Sequence, residues 1–241
     1  QAAEIVWAAQ DFVQQALGIG AALPKGFTLY LMESEEEIGA FCEAYPELPQ
    51  KEREQIPLVA SSWLPAGNLV VWTEGRIRRL DSLSRQVIAL LLSREFRVYG
   101  RHGWISEGFG LYLSYKLVGT RLSLSVHETG YVDEQRDPDF MNRLRAKNAN
   151  WFHLAHEALT GETKPNLVFL LGKNVNLLTA EDLFYSYSLA AYILELQPEQ
   201  AEPILRRIGQ GGAPATVLEE ELGQKLPELE QHLIAWLADM R

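Results

Sequence analysis

Cysteine is nearly absent from this sequence of 241 residues. The one thiol, Cys42, excludes an internal disulfide and any zinc site built on cysteines. It falls among Ile38, Phe41 and Tyr45 at helical spacing, so a buried, inert thiol is expected. No apolar run approaches the roughly 18 residues that a membrane span requires, so membrane insertion is not expected. Basic side chains are short as well: 22 against 32 acidic ones, for a net charge of -10. That balance repels phosphate backbones and removes nucleic acid as an expected partner. There is no Gly-x-Ser-x-Gly elbow, no Walker sequence and no glycine fingerprint after a strand; the Gly209–Gly212 stretch lies between predicted helices and reads as a turn. An initiating methionine is missing too, which a trimmed end or a removed signal peptide explains equally. The second reading places the protein outside the cytoplasm, secreted or periplasmic.

What remains is an ordinary globular composition, 47% hydrophobic and 22% charged, with length enough for one large domain. Residues 4–17 carry Ile5, Ala9, Phe12, Val13 and Ala16 on one helical stripe, stopped by Gly18 and Gly20. Residues 27–32 read as a strand. Ser34 opens a helix through Tyr45, with Glu37 completing a capping box. After Pro46 and Pro49 the polar stretch 50–55 reads as a surface connection, and 58–63 and 68–73 read as strands.

Beyond Gly75 long helices dominate. Asp81 or Ser82 is expected to cap one running through Tyr99, and a second starts near Ser106. Residues 120–137, with Leu122, Leu124 and Val126 alternating, predict a strand or extended loop. Helices follow near 138–160, 179–196, 199–209, 214–222 and 226–240. The pattern is α+β: a single domain with an N-terminal α/β part over about 1–80 and a helical part over about 81–241.

Within 91–115, LLSREFRVYGRHGWISEGFGLYLSY, an apolar helix leads through a glycine-bracketed turn into Trp104-x-x-Glu107-Gly108. This stretch resembles the catalytic segment of the peptidase MA-like gluzincins, in which His-Glu-x-x-His is followed by Trp-x-x-Glu-Gly. The opening helix, the strand at 25–32 with its Ser-Glu-Glu-Glu helix, and the late apolar segment FYSYSLAAYILE are also similar to that family. The resemblance implies a zincin-like fold with a small mixed sheet. It sets Glu95 at the general-base position, Glu107 at the third zinc-ligand position, and Arg94 and Val98 where the two histidines belong. Arg94 and Glu107 are 13 apart, closer than the family's usual separation, which implies a trimmed turn.

Zinc peptidases need three protein ligands and a water position. Arginine stays protonated and offers no lone pair, and valine offers no donor. No cofactor is therefore expected, and Glu95 is left as a vestigial base with no metal-activated water. Burying Glu107 without a cation would cost several kcal/mol. The expectation is that the guanidinium of Arg94, or that of Arg97, bridges to Glu107 where the metal would have been. Tyr185, with Tyr187 and Tyr192, is a weaker carry-over: it either faces the cleft as an oxyanion donor or packs in the core. Trp104 is expected under the turn, and Trp63, Trp72 and Trp151 in a groove or in the core. His102, His127 and the His153/His156 pair beside Glu157 are alternative metal donors or ordinary polar residues, and His232 reads as structural.

The expected function is a catalytically inactive peptidase homologue that binds a peptide, a protein partner or cell-wall material. The alternative is a zinc-dependent hydrolase in which Glu107 and residues outside the motif recruit the metal.

Overall fold

The computed structural model describes residues 2–123 and 144–240, except 59, 60, 65, 66, 74, 99, 145, 147, 162 and 163. Helix α1, Ala2–Leu17, buries Val6, Ala9, Val13 and Leu17, the stripe its spacing dictates. Strand β1, Leu29–Met32, then leads to α2, Glu35–Ala44. Ser34 caps α2 by accepting from the Glu37 amide at 3.2 Å, but the Glu37 carboxylate takes the Glu33 N–H at 2.7 Å, one residue before the expected partner.

The polar stretch read as a connection is a short helix, α3, Gln50–Gln55. Arg53 explains why. Its guanidinium donates to the carbonyls of Cys42, Glu43 (2.7 Å), Tyr45 (2.7 Å) and Leu48 (3.0 Å), so it ties α3 to the orphan carbonyls at the end of α2.

Strands β2, Ser61–Trp63, and β3, Leu69–Trp72, complete a sheet in the order β1-β3-β2. β1 runs parallel to β3 and β2 antiparallel to it. Alternation along β3 divides the apolar side chains between two faces. Val70 joins Ile38, Cys42, Leu48, Ile56 and Leu64 in a small cluster under α2. Leu69 and Val71 join the main core, which runs on from α1 through the helical part.

That part is built from α4, Arg76–Phe96; α5, Gly103–Val118; α6, Trp151–Thr160; α7, Leu167–Gly172; α8, Ala180–Leu196; α9, Pro198–Gly209; α10, Pro214–Leu222; and α11, Leu226–Asp239. Asp81 and Ser82 do not cap α4. The helix starts at Arg76 behind Gly75, whose φ of 85° suits a residue without a Cβ, and Asp81 is buried well inside it. α5 starts before Ser106 because the Gly103 N–H finds the Lys173 carbonyl at 3.0 Å and the His102 carbonyl accepts from Ile105 and Ser106. α7 and a single 3₁₀ turn at Val175–Leu177 fill the gap between the predicted helices.

Residues 120–123 are irregular, whereas Leu124 and Val126 lie outside the described residues. Of the helix expected over 138–160, Leu144 is helical, residues 146 and 148–150 are not, and α6 follows, capped by Asn150. The last four helices fall within about two residues of their predicted limits. α4 and α9 meet end to end so closely that a Cβ on Gly209 would lie 1.4 Å from the Phe96 carbonyl oxygen. No described helix is long and apolar enough to cross a membrane.

Candidate functional site

The interior of the helical part is reached through glycine. At Gly108 α5 lies directly against α8: an added Cβ would be 2.3 Å from the Ser186 carbonyl oxygen. That contact carries the neighbouring Glu107 carboxylate into the core, where the residue is only 4% exposed. Its partner is Arg85 of α4, 5% exposed, with Nη2 donating to Oε1 at 3.3 Å. The second carboxylate oxygen, Oε2, has no hydrogen-bond partner among the described residues.

One turn before Arg85 on the same stripe of α4 lies Asp81. Its carboxylate accepts from the Thr120 hydroxyl (2.6 Å) and from the amides of Leu122 (3.1 Å) and Ser123 (2.8 Å), while Arg85 Nη1 donates to the Ser123 carbonyl. An i, i+4 acid and base thus grip one irregular segment from a single helix face. Asp81→Ala is expected to reduce stability by about 2 kcal/mol, because backbone amides lose a charged acceptor. Urea unfolding measures the loss, and faster amide exchange at Leu122 and Ser123 locates it.

The expected bridge from Arg94 or Arg97 is not what the structure contains. Arg94 is exposed, and Arg97 is exposed beyond the end of α4 with φ at 59°. Nine residues separate Arg94 from Arg85, about two and a half turns, so the two point to opposite sides of α4. Glu95 is likewise remote from Glu107's partner: it pairs with Arg206 of α9 at 3.1 Å, and Arg206 also binds Glu202. Val98 is buried in the core.

Trp104 is fully buried beside Phe109, with ring centroids 6.1 Å apart, and its Nε1 has no partner among the described residues. The Tyr185 hydroxyl donates to Glu230 of α11 at 3.3 Å, and burial, then Glu230, pushes its pKa up. It is a neutral core donor.

Sequence reasoning missed Asp81 and Arg85. The sequence signals their burial but not their partners: both interrupt an otherwise apolar stripe with Ile88 and Leu92 at i, i+4, i+7 and i+11 spacing, where an unpaired charge is not tolerated.

The histidines named as alternative metal donors are dispersed, as far as they are described. His102 contacts Arg101, and burial, then that guanidinium, lowers its pKa. His153 faces Glu157 at 3.3 Å on the surface, and His232 faces Gln224 at 2.6 Å. His127 lies outside the described residues. Among the described residues no group of three or more His, Cys, Asp or Glu side chains could hold a metal ion. Trp72 and Trp63 lie in the sheet, and Trp151 is buried beside Tyr187.

A separate groove of about 680 Å³ opens between α7 and the start of α8 and is lined by Val168, Phe169, Lys173, Leu177, Thr179 and Asp182. Lys173 is already paired with Asp182 at 2.5 Å.

No protein-family model, curated protein or solved structure matches the chain.

Proposed function

We propose that this chain is a catalytically inactive, metal-free relative of the gluzincin peptidases, acting as a binding module for a peptide, a protein or cell-wall material. One observation supports it most: the buried Arg85–Glu107 pair, a fixed positive charge against the carboxylate of a Trp-x-x-Glu-Gly element. On this reading the motif frame moves nine residues toward the N-terminus. Arg85-Gln86-Val87-Ile88-Ala89 then stands in the His-Glu-x-x-His frame, with Arg85 and Glu107 22 residues apart in place of the close spacing that Arg94 required.

The chemistry of the shifted frame agrees with lost catalysis. Arg85 cannot ligate, Ala89 has no donor, and Gln86 cannot act as a base. Zinc does not suit this donor set. Glu107 has one oxygen already hydrogen-bonded to a guanidinium and a single further oxygen, Oε2, to offer, and a dication placed beside Arg85 would be repelled by it. The alternative of a working zinc hydrolase finds no support in these residues.

Gln86 instead donates to the Ser61 hydroxyl at 2.8 Å, tying the frame to β2. β2 is an edge of the described sheet, with Trp63 39% exposed on it, so strand addition by an extended peptide is the binding mode this arrangement favours.

The register is testable by restoration. The triple variant R85H/Q86E/A89H is expected to take up stoichiometric zinc by elemental analysis, whereas R94H/V98H takes up none. Tight zinc in the wild-type protein, or an empty triple variant that is folded, would reject the reading.

A further inference from the structure

Between α5, α6 and α8 lies a second polar arrangement that the reading above does not use. The guanidinium carbon of Arg121 sits 4.2 Å from the ring centre of Tyr115, 5.0 Å from Trp151 and 5.4 Å from Tyr187. Its Nη1 donates to the Tyr187 hydroxyl at 3.2 Å and its Nη2 to the Ala149 carbonyl at 2.5 Å. Three aromatic rings and two hydrogen-bond acceptors around one planar cation are what an arginine head group requires.

The receptor and the tenant have different origins in the fold. The rings belong to three helices and hold one another: Trp151 and Tyr187 are edge to face at 5.0 Å, and Tyr115 and Tyr187 at 6.3 Å. Trp151 is fixed further by its Nε1 bond to the Leu144 carbonyl at 2.9 Å. Burial pushes the Tyr187 hydroxyl up to about 12 against the pull of Arg121, so it is neutral and free to accept. Arg121 alone comes from the irregular segment 120–123, beyond the end of α5 at Gly119. The rings are therefore supplied by the helices and braced against one another, whereas the occupant comes from a neighbouring irregular segment.

We propose that Tyr115, Trp151, Tyr187 and the Ala149 carbonyl form a guanidinium-binding pocket, filled in cis by Arg121 and open to an arginine side chain of a partner that displaces it. The protein's net charge of -10 favours the approach of such a cationic partner. The pocket rests on its own geometry and holds whatever the role of Glu107.

The test uses Arg121→Ala and the uncharged-backbone probes N-acetylarginine amide and N-acetyllysine amide, read as the shift in melting temperature. Should the variant not fold alone, refolding yield with each probe is the readout. The arginine probe is expected to give a saturable gain, and the lysine probe to bind about tenfold more weakly because it leaves a planar acceptor unpaired. Wild-type protein should need at least about tenfold more probe, since its tethered Arg121 competes at an effective concentration on the order of millimolar. No gain in the variant, equal gains from the two probes, or equal binding by variant and wild type would overturn the proposal.

Discussion

Replacing Arg85 by methionine is expected to cost about 3–5 kcal/mol, because Glu107 would then be a buried charge with no partner. For a domain of this size that is a fall in melting temperature on the order of 10 °C. Both groups of the pair are about 6% exposed, so solvent does not discount the loss. The double variant R85M/E107Q removes the stranded charge together with its cause. It is expected to recover most of the stability, since apolar or neutral replacement of a whole buried pair is often neutral. Differential scanning calorimetry on the wild type, both single variants and the double variant gives the coupling directly. Equal additive losses would show that Arg85 and Glu107 act independently.

Adding one methyl group at Gly108 should be almost as damaging. Gly108→Ala puts a Cβ 2.3 Å from the Ser186 carbonyl oxygen and 2.7 Å from its carbon, both backbone atoms that no rotamer change can move. The α5–α8 contact has to open, at about 3 kcal/mol or more. Gly110→Ala, two residues along the same helix, meets nothing within 4 Å. It should be neutral or stabilising by up to about 1 kcal/mol, since alanine is the better helix former. Chemical denaturation of the two variants side by side separates helix propensity, which is common to both, from the close approach peculiar to one.

Those glycines also show how far the sequence could be read. The elements were legible because periodicity alone sets them: α1 and the last four helices sit where their apolar stripes and glycine stops put them. The α+β class follows from strands gathered before Gly75. Position along α4 was not legible in the same way. Arg94 lies nearer in sequence than Arg85 to the Trp-x-x-Glu-Gly element, but helical phase turns it to solvent, and Arg85 reaches Glu107 from deeper in the helix. Contacts between elements depend on crossing geometry, which no local pattern encodes. The role of Asp81 was hidden for the same reason: its partners lie about 40 residues away in a segment with no periodicity. α3 was missed because a six-residue polar helix has no apolar stripe, and what stabilises it is Arg53 reaching back to α2.

Cys42 sits in the small cluster on the far side of the sheet, 2% exposed and separate from the main core. Burial raises the pKa of its thiol, so it stays protonated and shielded from alkylating reagents while α2 is in place. As the one cysteine in the chain, it is a built-in clock for that corner of the molecule. The rate at which iodoacetamide labels it reports how often α2 lifts from the sheet, and comparison with whole-molecule denaturation tells whether the N-terminal corner opens before the helices do.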